Sequence, residues 1–232
     1  QSTVTAADNK TTIKITNFGD EAAYNVQLNL EANSQKTASS IKKQLGVQES
    51  FEWNVPLAFK PKNPGKYPII LTVNYEDANS YPFSAISVSA LDYELATISD
   101  IAAKISNVGL SDKETLELTL KNTAETTKDL NIRLIVSKEL TAEKDKVNIR
   151  LPGKTEVTLN FEIEKFSALP GSSYVVFAVV EYDENGNHYT STANGAVKIV
   201  EKNNIFTNQS LLIGLLVILI IIFIYFQFKK KK

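Results

Sequence analysis

Apolar and polar residues alternate along most of this chain. Ile13 and Ile15 are set against Lys14 and Thr16, and Val26, Leu28 and Leu30 against Asn25, Gln27 and Asn29. Phe51, Trp53 and Val55 enclose Glu52 and Asn54. Leu116, Leu118 and Leu120 alternate with Glu117, Thr119 and Lys121, and Val157, Leu159, Phe161 and Ile163 with Thr158, Asn160 and Glu162. A period of two is that of strands with one buried face. No stretch before residue 208 keeps a helical period of 3.6, so the pattern predicts an all-β class.

One run departs from the alternation. Leu211 to Phe228 reads LLIGLLVILIIIFIYFQF, interrupted only by Gly214, Tyr225 and Gln227 and carrying no charge. Eighteen residues at about 1.5 Å rise reach roughly 27 Å, enough to span a hydrocarbon core of about 30 Å with interfacial flanks. Lys229, Lys230, Lys231 and Lys232 follow. A lysine cluster stays on the cytoplasmic side, which places the rest of the chain outside. The run holds no ionisable residue and so offers no ion path or proton relay. Ser210 and Gly214 form one small-xxx-small pair. The expectation is a membrane anchor.

The alternating part repeats itself. PGKYPIILTVNYED (64–77) matches PGSSYVVFAVVEYDE (170–184), LGVQESFEWNV (45–55) matches PGKTEVTLNFEI (152–163), and IKITN, ending at Asn17, matches LTLKN, ending at Asn122. These landmarks keep one offset of 105–107 residues. Units of about 100 residues with short strands and frequent turns fit an immunoglobulin-like sandwich. Asn185-Gly186 is a hairpin signal, because both residues tolerate positive φ. Tyr67 and Tyr174 open apolar strands after Pro-Gly, the place of the corner tyrosine in such sandwiches.

The expected fold is therefore two tandem immunoglobulin-like β-sandwiches followed by one C-terminal transmembrane α-helix. The divisions are 1–90, 91–202, a linker 203–210, the helix 211–228 and a basic tail 229–232. The join near Leu91 has no Pro/Gly/Ser-rich linker, which predicts a semi-rigid rod of two sandwiches. The second copy has about 30 residues ahead of Asn122, whereas the first has 16 ahead of Asn17. This predicts a first sandwich lacking most of one N-terminal strand, either by truncation or degeneracy or as an open edge for a partner strand.

The order of strand, Asn, polar turn and strand (ITNFGDEAAYNVQL), then L-x-G, then PG-x-Y and another strand, resembles the CARDB-type and S-layer-associated Ig-like domains of bacterial and archaeal surface proteins. The resemblance covers residues 8–200 and implies a cell-surface spacer or adhesion module; some such domains accompany membrane transporters.

Composition narrows the chemistry. There is no Cys, which excludes disulfides, thiolate metal sites and cysteine nucleophiles. Of the 25 basic residues four are in the tail, against 26 acidic residues, so nothing attracts nucleic acid. The start at Gln1-Ser2-Thr3 and the lack of Met are read as the trace of a removed signal peptide, which a trimmed chain would equally leave. His188 is the sole histidine and is expected on an exposed hairpin, with no second ligand for zinc and no nucleophile elbow for a triad. Asp183, Asn185 and Asn187 form an oxygen-rich stretch that could hold Ca²⁺, although the spacing is not that of an EF-hand and a hairpin turn accounts for it. Trp53 could stack on sugars, but its alternation places it in a core. LPGKT at 151–155 lies mid-sequence and is read as a turn. Asn9 begins an N-x-T glycosylation acceptor.

These readings predict no catalytic residue, no cofactor and no small-molecule substrate. They predict a membrane-anchored extracellular structural or adhesion protein of a prokaryotic surface with a protein or envelope partner, its oligomeric state open. The alternatives are an accessory scaffold subunit of a membrane complex such as a transporter and a surface carbohydrate-binding module.

Overall fold

The computed structural model describes residues 2–7, 10–33, 35–56, 60–201 and 208–229, with side chains for 11–33, 35–55, 60–201 and 213–223. Residues 1–200 form one compact unit and 201–232 a second. Asn9, Lys230, Lys231 and Lys232, expected as an acceptor and as topology anchors, lie outside the described residues, as does the Lys229 side chain.

The first half of the β unit contains β1 (Ser2–Ala7), β2 (Lys10–Thr16), β3 (Ala23–Ala32), β4 (Gln35–Ala38), β5 (Lys42–Leu45), β6 (Ser50–Pro56), β7 (Gly65–Glu76) and β8 (Pro82–Tyr93). The second half contains β9 (Ile101–Ile105), β10 (Val108–Leu110), β11 (Lys113–Asn122), β12 (Lys128–Ile135), β13 (Leu140–Ala142), β14 (Lys146–Leu151), β15 (Glu156–Lys165), β16 (Ser173–Glu184) and β17 (Asn187–Ile199). The alternating residues do what their period predicts. Leu116, Leu118 and Leu120 are fully buried on β11, and their cross-strand partners Phe161, Leu159 and Val157 share that face on β15. Each fully buried Leu or Ile contributes about 1.5–3 kcal/mol relative to exposure.

Each half is a sandwich around its own core. Sheet β1-β2-β6 faces a sheet of β3, β7 and β8 with β4 and β5 on its margin, enclosing Ile13, Leu28 and Leu71. Sheet β9-β11-β15-β13 faces β14-β12-β16-β17 with β10 added parallel to β17, enclosing Leu118, Ile132 and Ile163.

Three expectations change. β8 runs to Tyr93, past the division placed at Leu91, and Leu91 and Tyr93 pack on the first core. The first sandwich is not without an N-terminal strand: β1 pairs antiparallel with β2, Val4 opposite Ile13, as β9 pairs with β11. And the two sandwiches do not meet only at their ends, as a rod would require. Ile70 on β7 and Val179 on β16 are 5% and 0% exposed yet belong to neither core. Glu31, cross-strand from Ile70, is ion-paired with Arg133, cross-strand from Val179. The outward faces of β7 and β16 therefore cover each other. Further along, Tyr81 Oη donates to Ser167 O (2.9 Å), and Ser84 donates through N and Oγ to the buried Glu139 carboxylate. At the opposite end of β7, Gly65 forms a parallel bridge with His188 that joins the larger sheets of the two sandwiches. The unbroken apolar runs of β7 and β16 are those of strands covered on both faces.

The helix α1 (Asn208–Lys229) contains the apolar run. Its described side chains, 213–223, are exposed on all sides. Among the described residues no helix is long and apolar enough to cross a membrane.

Candidate functional site

The hairpin of β16 and β17 carries the oxygen-rich stretch, and its geometry is that of a two-residue turn. Asn185 and Gly186 have φ of 52° and 78°, and Glu184 pairs with Asn187 across them. The carboxylates are used elsewhere. Asp183 Oδ1 accepts from Asn63 Nδ2 (3.3 Å) and lies 2.9 Å from His188 Nδ1. Glu184 binds Lys128 and accepts from Thr126 Oγ1 (3.1 Å). The candidate ligands Asp183, Asn185 and Asn187 thus build a turn and a junction. Among the described residues no group of three or more His, Cys, Asp or Glu is placed to hold a metal.

His188 is not the solvated residue its hairpin position suggested. Its side chain is 12% exposed and stacks on Tyr67. Nε2 lies 3.2 Å from Glu181 Oε1, and its backbone N donates to Pro64 O while its O accepts from Thr97 Oγ1. Burial opposes the imidazolium, but hydrogen bonds and charge from Glu181 and Asp183 outweigh it and hold the His188 pKa above its ordinary value. Lys128 is another buried cation, its side chain 2% exposed beside Asp100, Glu184 and the Tyr182 ring. Burial works against its charge; Glu184 and Asp100 more than offset this, so its pKa also rises.

The asparagines that marked the repeat are turn clamps. Asn122 donates through Nδ2 to Thr126 O, Leu151 O and Pro152 O and accepts from Ala124 N. Asn17 does the same in the first copy, donating to Glu21 O and Leu45 O and accepting from Gly19 N. Tyr67 Oη donates to Asn63 O, four residues upstream, as a corner tyrosine does. Trp53 is partly buried against the first core, on the face with Phe51 and Val55, not displayed as a sugar platform. LPGKT is a turn in which Gly153 lies so close to the loop at Glu125 that a Cβ would strike its carbonyl oxygen.

One recess able to receive another molecule was not legible from residue type. It opens between the sheets of the first sandwich, where β2 and the Asn17–Glu21 loop face the ends of β7 and β8, with a volume of about 750 Å³. Its floor is apolar: Ile15, Val26, Leu45, Val73 and Phe83. Its mouth carries Asp20, Glu21, Glu76 and Asp77 and, among the described lining residues, no Lys or Arg. Its described lining includes no histidine or cysteine.

No known protein family matches the sequence, and no curated protein matches it. Among solved structures, the chain is similar to Salmonella alpha-2-macroglobulin, at 10% identity and a TM-score of 0.36, over 85% of this chain and 16% of that one. It is also similar to a type I cohesin from Pseudobacteroides cellulosolvens, at 8% identity and a TM-score of 0.27, over 46% of this chain and 96% of that one. Red sea bream transglutaminase overlaps at 13% identity and a TM-score of 0.29, over 87% of this chain and 31% of that one. The chain spans about a sixth of the macroglobulin's length. Overlaps this loose carry no activity, substrate or partner across, and the all-β sandwich architecture stands on this chain's own strands and cores.

Proposed function

We propose that this chain is a membrane-anchored interaction protein of a prokaryotic cell surface. In this reading residues 1–200 are two immunoglobulin-like sandwiches held outside the membrane by residues 211–228, with the lysines at 229–232 inside. The observation that carries it is the apolar recess with an acidic mouth in a β unit whose buried charged groups serve as structural ties. Such a site binds; it has no group placed to activate a nucleophile or transfer a proton. The exposed apolar side chains of 213–223 support the anchor, because a helix apolar on every side needs a non-aqueous surrounding. The resemblance to CARDB-type surface domains agrees with this compartment. The side-by-side contact of the sandwiches favours a squat presenting unit over a long spacer.

Fractionation tests it. The full chain should remain in membranes after alkaline carbonate, a chain ending at residue 207 should be released, and protease added to intact cells should cleave the sandwiches. A carbonate-soluble full chain, or sandwiches protected in intact cells, would overturn the assignment.

A further inference from the structure

The loops at one end of the β unit turn large apolar side chains to solvent. β17 finishes there at Ile199, and Val200 N donates to Leu110 O. Beside it the loop 166–172 joins β15 to β16. Gly171 N donates to Ile199 O, while Phe166 N and Ser167 N both donate to Glu139 O. Tyr81 Oη donates to Ser167 O, and Ala168 is buried against the second core. These ties brace the loop, yet Phe166 is 74% exposed, and Leu169 and Val200 are exposed with it. Apolar groups gathered on a braced surface mark a contact with something other than water.

Chain length points to what that is. From Val200 to Asn208, where α1 begins, eight residue steps cover at most about 29 Å. β17, thirteen residues at about 3.3 Å each, is about 43 Å long. A chain anchored by α1 therefore cannot stand on the His188 end of its sandwiches; the end that reaches the bilayer is the one where β17 finishes. The two sandwiches differ there. Phe18 and Val47 of the first are exposed in neighbouring loops, joined where Gln48 N donates to Asn17 O, but Asp20, Glu21 and Asp77 surround Phe18. Phe166 instead follows Lys165, which is ion-paired with Asp112 at 3.7 Å, and Lys138 adjoins the Glu139 carbonyl that holds the loop. Lysine stems lie along apolar surface while their ammonium groups meet lipid phosphates, and the same phosphates repel carboxylates.

We propose that the loop 166–172 of the second sandwich rests in the bilayer interface, with Phe166 and Leu169 among the headgroups and upper acyl chains, Lys138 and Lys165 at the phosphates, and Phe18 of the first sandwich left in water. Apolar side chains gain from that zone in proportion to the area they bury there, and nearby cations add attraction to the lipid phosphates. The lipid surface is then a partner of the β unit itself, not of the helix alone. The inference rests on the membrane anchor proposed above, and the experiment separates the two.

The chain has no Cys, so each single-cysteine variant takes one nitroxide label. Phe166→Cys, Leu169→Cys, Phe18→Cys and Ile98→Cys, all at exposed positions, and Leu219→Cys in α1 are labelled in the full chain and reconstituted into phosphatidylcholine vesicles. Ile98 serves as the control at the far end, next to Thr97, whose Oγ1 donates to His188 O. Power saturation compares collisions with oxygen, which concentrates in lipid, and with a water-soluble nickel chelate. Labels at 166, 169 and 219 should favour oxygen over nickel severalfold more than labels at 18 and 98. Labels at 166 and 169 that match those at 18 and 98, while 219 lies in lipid, would overturn this inference and leave the anchor standing. A label at 219 open to nickel would overturn both. Dipolar broadening at 166 that unlabelled chain relieves would put a second copy on the loop and overturn the lipid contact.

Discussion

His188 lies flat on Tyr67, their ring centroids 4.0 Å apart and their planes within 8°. Tyr67 is the corner residue of the first sandwich and His188 opens the last strand of the second, so one stacked pair ties the two cores. Glu181 and Asp183 hold the other side of the imidazole. The raised pKa makes this tie pH-dependent. A group whose folded pKa lies above its unfolded value of about 6.5 contributes stability that is fully present below that pH and lost as pH rises through the folded value. The stability difference between wild type and His188→Phe, which keeps an aromatic ring on Tyr67, should therefore shrink as pH rises from about 6 to about 8. Urea unfolding at several pH values measures it; a difference that grows with pH would contradict the charge assignment.

Gly65 stands next to this stack under a steric demand. Its φ is 142°, and a Cβ there would fall on the carbonyl oxygen of His188. The neighbour is backbone held by Pro64 and Thr97, so it cannot turn aside. Gly65→Ala should cost about 3 kcal/mol or more. Unfolding midpoints with wild-type stability would show that the bridge between β7 and β17 is slack.

What the sequence disclosed followed from period and local turn chemistry. Alternation along β3, β11 and β15 assigned the inward residues correctly, because one buried face imposes a period of two whatever lies beyond it. Asn185-Gly186 revealed its turn, since the requirement for positive φ is local. The Asn17 and Asn122 landmarks were visible, but not their work, because their acceptors at Leu45 and Leu151 lie on other strands. Ile70 and Val179 sat in runs read only as apolar strands; that both faces of those strands are covered depended on the docking of two sandwiches. The recess was invisible for a related reason. It is lined by Ile15 from β2 and by Ala85 and Ser87 from β8, residue types that carry no signal of a cavity.

Ser84 and Glu139 provide a second tie between the sandwiches. Glu139 is 2% exposed, and its carboxylate accepts from Ser84 N and Ser84 Oγ, while that Oγ accepts from Lys138 N at 3.0 Å. Ser84→Ala removes a donor to a buried carboxylate and an acceptor for a main-chain N–H. The loss should be about 1–3 kcal/mol. Glu139→Gln keeps one acceptor oxygen and should lose less than Glu139→Ala, which strands both Ser84 donors. Equal losses for the two would mean that the side-chain oxygen contributes nothing.

The paired asparagines allow a comparison inside one molecule. Asn122 is fully buried and satisfies three carbonyls and one N–H; Asn17 is half-buried and satisfies two carbonyls and one N–H. An alanine at either place leaves those groups to find other partners, and water reaches them more readily at Asn17. Leaving a buried polar group unsatisfied costs about 1–3 kcal/mol, whereas a solvated group costs only its net hydrogen bond of about 1 kcal/mol. Asn122→Ala should therefore lose about 2–4 kcal/mol and Asn17→Ala about 1–2 kcal/mol. Denaturant titration of the two variants measures the difference, and equal losses would mean that burial does not decide the cost.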